Sequence, residues 1–147
     1  MQDIVRKIRI EAPVEIVWRY LVDAEKLQRW LMRLEGEIAP GRSFQLIYDG
    51  PTPDGTTCFV HPCTVTEMTP PTRLAMTWTY SGLQNVDTLV SFDLKADGDA
   101  TELTLTHAGW DKVPEAVRAA QHADYDGGWA EGLEDLVRQV AADRRKN

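Results

Sequence analysis

Clustered basic residues, long apolar runs and paired cysteines are all missing from this chain, and each absence closes a class of function. Among 147 residues, 16 are Lys or Arg against 23 Asp or Glu, giving a formal net charge of −7. The only basic run is Arg144, Arg145 and Lys146 at the far C-terminus. Gripping a phosphate backbone takes clustered cations, so nucleic acid is not an expected partner. No segment approaches the roughly 18 to 20 consecutive apolar residues of a membrane helix, and the opening MQDIVRKIRIEAP lacks the apolar centre of a signal peptide. A cytoplasmic location without membrane insertion is expected. Cys58 and Cys63 do not make a CxxC pair; in a reducing compartment both are expected as buried thiols. There is no GxSxG elbow and no GxGxxG or phosphate loop. Nucleotide chemistry therefore drops out, and no cofactor is implied.

What remains is ordinary globular composition, 43 % hydrophobic and 27 % charged, well away from disordered chains. The length suits one domain spanning 1–147, able to bury roughly two-thirds of its unfolded surface. The unusual feature is five tryptophans against three phenylalanines.

Residues Ile4 to Ile10 alternate, with Ile8 and Ile10 opposite Lys7 and Arg9, as in a half-buried strand. Pro13 suits a first helical position, and Val14, Val17, Trp18 and Leu21 form one face of a short helix. Asp23 is placed to cap a second one bearing Leu27, Trp30, Leu31 and Leu34. After Gly36 the period changes to that of strands separated by turns. Phe44, Leu46 and Tyr48 share a face, as do Phe59, His61, Cys63 and Val65, where Pro62 implies an edge or a bulge. The DGPTPDG segment between them can sustain neither helix nor ladder. Leu74, Met76, Trp78 and Tyr80, then Thr88, Val90, Phe92 and Leu94, then Leu103, Leu105 and His107 repeat the alternation, with a hairpin turn at Asp97–Asp99. Six or seven strands result. From about Pro114 to Asp143, His122, Tyr125, Trp129, Leu133, Leu136 and Val140 fall on one stripe of a long helix. Gly127 and Gly128 interrupt it, predicting a kink or a close backbone approach. Antiparallel strands with helices in separate blocks define an α+β arrangement.

The segments IRIEAPVEIVWRYLVDAEKLQRWL, CTVTEMTPPTRLAMTWTY, LTLTHAGW and GGWAEGLEDLV together resemble the START-like (SRPBCC) superfamily, and within it the homologues of the activator of the heat-shock-protein-90 ATPase. The resemblance covers nearly the whole chain. It implies a helix-grip fold, in which a curved antiparallel sheet wraps around a long C-terminal helix and leaves a cavity between them. It also implies a role in binding lipids, hormones or polyketides, in cyclisation or hydrolysis, or in acting on a chaperone. Fold does not choose among these. The eukaryotic chaperone activator carries a further N-terminal domain for which 147 residues leave no room, and no catalytic set of the family maps onto this sequence.

Trp and Tyr join a large apolar body to one polar group, which suits a pocket that grips an apolar ligand and orients it by a hydrogen bond. Trp78, Tyr80, Tyr48, Tyr125 and Trp129 fall on inward faces of the pattern; the same placement also describes plain core residues. Phe92, His61, Cys63 and His107 share those faces, and Trp30 is placed to close a cavity mouth. His61 and Cys63 are of zinc-ligand type, but no further ligand type shares their face except Glu67, and no metal is expected. The expected function is binding of a small, largely hydrophobic molecule between sheet and C-terminal helix, oriented by His107, Tyr80 or Tyr48. The alternatives are a cyclase or hydrolase using His107 as acid or base, and a protein-interaction module acting on a chaperone. Either a monomer or a homodimer fits. Trp110, in the turn before the last helix, receives no role from its position.

Overall fold

The computed structural model describes residues 2–49 and 58–145, without the side chain of Cys58. Seven antiparallel strands form one sheet: β1 (Ile4–Ile10), β2 (Arg33–Glu35), β3 (Ser43–Asp49), β4 (Cys58–Thr69), β5 (Arg73–Trp78), β6 (Thr88–Asp97) and β7 (Ala100–Ala108). Their order is β1-β7-β6-β5-β4-β3-β2. The helices are α1 (Val14–Val22), α2 (Ala24–Trp30) and α3 (Glu115–Arg145), with 3-10 turns at Ser81–Leu83 and Trp110–Lys112. The sheet is a curved half-barrel closed on its inner face by α3, the helix-grip arrangement.

The alternation read from the sequence sets the faces. Opposite each other across β5, β6 and β7 stand Leu74, Phe92 and Leu105, then Met76, Val90 and His107, all buried. Trp129, Leu133, Leu136 and Val140 of α3 meet that face. A buried indole withdraws about 200 Å² from water, roughly 5 kcal/mol at 25 cal/mol per Å², so the tryptophans dominate this core. Trp18, Trp30, Trp78, Trp110 and Trp129 are all buried.

Several boundaries differ from the sequence expectation. Pro13 is the N-cap of α1, in extended conformation, and its carbonyl accepts from Val17 at 3.1 Å. Asp23 does sit at the N-cap of α2, but through its backbone carbonyl and not its side chain. Leu34 is not on α2: it lies on β2, opposite Leu46. A three-residue strand is too short for period 2 to declare itself. Pro62 pairs with Gln45 of β3. On its other side β4 joins β5 only from Val65 onward, across a bulge at Val65/Glu67, so the missing Pro62 N–H leaves no gap in a ladder. The DGPTPDG segment beyond Asp49 lies outside the described residues.

Helix α3 is continuous through Gly127 and Gly128, and a Cβ on either would meet no atom within 4 Å. The predicted close approach is instead at Gly132, where a Cβ would lie 3.7 Å from the Trp30 carbonyl oxygen. The far end of α3 is tied to the short helices through Asp143, which accepts from the Tyr20 hydroxyl and from Arg29 at 2.9 Å. Burial and this carboxylate push the Tyr20 hydroxyl up to about 12. Arg6 reaches from β1 to Asp126 at 2.8 Å; so exposed a pair contributes at most about 1 kcal/mol.

Gly127→Ala is expected to stabilise the protein by about 0.5–1 kcal/mol, through helix propensity alone. Gly109→Ala is expected to destabilise it, because φ there is +89° and the new Cβ would stand 3.3 Å from the Thr88 Cα. Urea unfolding of the two variants checks both signs.

Candidate functional site

Two adjoining hollows open between the middle of α3 and the inner ends of β3 to β5. The first, of about 370 Å³, is lined by Met32, Tyr48, Phe59, His61, Tyr80, Asp124, Tyr125 and Gly128. The second, of about 290 Å³, adds Trp30, Leu31, Trp78, Trp129, Glu131, Gly132 and Asp135, and shares Met32, Tyr48, Tyr125 and Gly128 with the first. Gly128 leaves this space free because it has no side chain to fill it. Two larger depressions, of about 510 and 450 Å³, are lined by polar side chains such as Ser43, Gln45, Thr64 and Thr77, or Glu67, Arg73, Asp93 and Lys95. Neither has as apolar a lining as the two hollows.

Behind the hollows the interface is sealed by rings. Trp78 and Trp129 meet at 5.2 Å between centroids. His107 lies among Trp110 at 4.8 Å, Tyr125 at 5.0 Å and Trp129 at 6.1 Å. The hydrogen bonds fix its protonation. Thr88 donates its hydroxyl to the Trp78 carbonyl at 2.7 Å, so toward His107 Nε2, also at 2.7 Å, it accepts. His107 Nδ1 in turn accepts from Trp129 Nε1 at 3.1 Å. Only the neutral Nε2–H tautomer satisfies both. Burial, and secondarily the charge of His122, lowers His107 to about 3. Trp110, without a role in the sequence, donates its Nε1–H to the His107 carbonyl at 3.1 Å and covers that end of the core.

The sequence candidates therefore divide. Tyr48, His61, Tyr80, Tyr125, Trp30, Trp78 and Trp129 come together around the hollows. His107, wholly buried, lines neither, which corrects its expected place against a ligand or as an acid or base. Phe92 is also behind the wall, edge-on to Trp30 and Trp129. Cys63 lies outside the hollows, lining the polar depression over β3 and β4. Its thiol, pushed up to about 12 by burial and then by Asp87, is no nucleophile at neutral pH. His122, on the expected stripe, leaves it for the Gln2 carbonyl at 2.9 Å and the Trp110 ring. Among the described residues no group of three His, Cys, Asp or Glu is placed to hold a metal.

Polar atoms at the hollow are few. Tyr125 accepts from Trp78 Nε1 at 3.0 Å, and Tyr80 donates to Gln121 Oε1. Burial raises both hydroxyls, so they stay protonated. His61 Nδ1 faces the Leu46 carbonyl at 3.1 Å and must donate to it. Burial, against the opposing pull of that bond, lowers His61 to about 4. The imidazole is neutral and Nε2 is an acceptor. The sequence missed Met32, Phe59 and Asp124 on the lining. Asp124 lies one position before Tyr125, and its inclusion follows from the open space that Gly128 leaves one turn later.

The sheet, the long helix and the apolar hollow between them define an SRPBCC domain. More narrowly, residues 11–141 match the family model described as activator of Hsp90 ATPase homolog 1-like protein, and the chain belongs to that family. No curated protein matches it. Among solved structures, it is similar to DynU16, a protein of the dynemicin biosynthetic locus, with 21 % identity and TM-score 0.78 over 96 % of this chain. It spans 48 % of that protein's length. Protein MLL2253 from Mesorhizobium loti shares 22 % identity with TM-score 0.78, over 97 % of this chain and 98 % of that one. CalU16 from Micromonospora echinospora shares 26 % with TM-score 0.72, over 98 % and 79 %.

Because the two imidazoles are neutral in the fold and ordinary when unfolded, the unfolded chain binds more protons between pH 6.5 and about 3. Stability should fall as pH drops through that window, by up to about 1.4 kcal/mol per pH unit for each histidine. His107→Gln keeps one donor and one acceptor but does not titrate. Urea midpoints from pH 7 to 4 should decline less steeply in the variant; equal slopes would contradict the assignment.

Proposed function

We propose that this protein binds a small, largely apolar, ring-bearing molecule in the paired hollows between β3–β5 and the middle of α3. The observation that carries the reading is an aromatic-walled space held open by a glycine, around which the indole N–H groups of Trp30, Trp78, Trp110 and Trp129 already have partners. The rigid rear wall of Trp78 and Trp129 is therefore preformed, and a ligand need not reorder it. A ring system covering about 250 Å² of apolar surface gains roughly 6 kcal/mol, which sets an affinity on the order of tens of micromolar at most. The membership of the family is compatible with small-molecule and with protein binding; the hollow favours the former. A cyclase or hydrolase working through His107 has no support from its position, since both ring nitrogens are engaged away from the hollow.

Gly128 supplies the test. Gly128→Ala should fold with raised stability, and Gly128→Leu should fold while filling the space. The neutral fluorophore N-phenyl-1-naphthylamine should bind the parent protein and bind Gly128→Leu at least about tenfold more weakly, the equivalent of about 1.4 kcal/mol. Equal binding by a folded Gly128→Leu protein removes the hollow as the site. Native mass spectrometry of the purified parent should show a co-purifying small molecule that the leucine variant lacks.

A further inference from the structure

The chemistry of the lining narrows the ligand, on the reading that the hollow is a binding site. Its apolar walls are crossed by groups of one kind. Asp124 lines the first hollow, and Glu131 and Asp135 the second. Asp135 is bridged to Arg138, while Asp124 and Glu131 have no basic partner among the described residues. No Lys or Arg lines either hollow. The cations next in sequence to lining residues are already paired: Arg29, beside Trp30, with Glu25 at 2.8 Å and Asp143 at 2.9 Å, and Arg33, beside Met32, with Asp49 at 2.7 Å and Glu35 at 2.8 Å.

An independent observation concerns His61. The side chain is 95 % buried, with 5 % of its surface exposed. Its Nδ1 proton is committed to Leu46, and Nε2, at the far end of a ring that lines the first hollow, faces that open space without a protein donor among the described residues. Trp78 and Tyr80 flank that ring at 5.2 and 5.0 Å. The two hydroxyls nearby are already spoken for: Tyr80 donates to Gln121, and Tyr125 receives the Trp78 N–H and gives its own proton to the Tyr80 oxygen. That acceptor faces the hollow, where solvent supplies its donor until a ligand displaces it, and a ligand that offers none leaves it unpaired. What the hollow asks of a ligand there is a donor.

We propose that the hollow selects aromatic alcohols and amines, uncharged or cationic, whose O–H or N–H meets His61 Nε2, and that it rejects carboxylate and phosphate amphiphiles. Rejection follows from two sources. A carboxylate brought to His61 sets an acceptor against an acceptor, and it adds an anion beside Asp124 and Glu131 in a space without a compensating cation. An ammonium group gains from the same carboxylates and from the tyrosine and tryptophan faces. His61 is thus assigned as the residue that reads a ligand's hydrogen-bond polarity, and the acidic rim as the element that reads its charge.

The test is displacement of N-phenyl-1-naphthylamine at pH 7.5 by four molecules sharing one skeleton: 2-naphthol, 2-methoxynaphthalene, 1-naphthylmethylamine and 2-naphthoate. Naphthol and the amine should displace the probe, the methoxy compound about three- to tenfold less well for want of one hydrogen bond, and naphthoate at least about tenfold less well than naphthol. His61→Phe, which keeps the ring but not the acceptor, should erase the difference between naphthol and its methyl ether. The exposed double variant Asp124→Asn/Glu131→Gln, which does not depend on refolding a buried site, should bring naphthoate close to naphthol. Naphthoate displacing the probe as well as naphthol does from the parent protein overturns the proposal while leaving the hollow as a binding site. If neither the probe nor any of the four binds, the hollow itself is not the site, and the proposal falls with it.

Discussion

A single neutral imidazole holds the centre of this protein together. His107 receives the Trp129 N–H from the helix and gives its own proton to Thr88 on the neighbouring strand, whose hydroxyl passes on to the Trp78 carbonyl. The chain of bonds joins α3 to β7, β6 and β5 inside a region from which water is excluded, where each unmade bond would cost about 1–3 kcal/mol. Since every donor in it finds an acceptor, three polar side chains can lie among indoles without penalty. The arrangement also fixes the height and rotation of Trp129, and with it the surface that Trp78 and Trp129 jointly present to the hollows.

That surface divides the space between helix and sheet into two unlike parts. Toward Trp110 it is solid, filled by rings in mutual contact. Toward Gly128 it is open. The resemblance implied a cavity between sheet and helix; here the protein's own tryptophans occupy the inner part and leave a shallow outer one. The helix contributes to both, with Trp129 packed inward and Gly128 one residue earlier presenting no side chain at all. An energetically costly residue in mid-helix thus makes sense where its effect is read on ligand space instead of helix stability.

Period 2 and period 3.6 made most of the fold legible, because the sheet has one apolar face and the long helix one apolar stripe. The alternation through Leu74–Tyr80 and through Thr88–Leu94 placed the inward residues correctly, and so did Trp129, Leu133, Leu136 and Val140. Strand β2 escaped, since three residues carry no usable period and Leu34 continues the apolar run of the helix before it. The lining of the candidate site was partly legible. Tyr48, His61, Tyr80 and Tyr125 were found by facing inward, but so was His107, and nothing in an alternation of large and small residues tells the back of a cavity from its rim. Whether an inward ring meets a ligand depends on which helical residue lies over it, and that is set by the rotation and height of α3, a long-range quantity.

From the sequence alone follow the acidic character, the antiparallel strands, the closing helix and the concentration of tryptophan on their shared face, all consequences of local composition and spacing. Tertiary structure alone decided that His107 would be sealed as Nε2–H, that Trp110 would cap the core, that His122 would leave the stripe for Gln2, and that the gap at Gly128 would become usable space. The physical reason is the same throughout. Period says which side of an element a residue faces, whereas protonation, hydrogen-bond partnership and empty volume are properties of several elements at once, and they exist only after the helix has settled on the sheet.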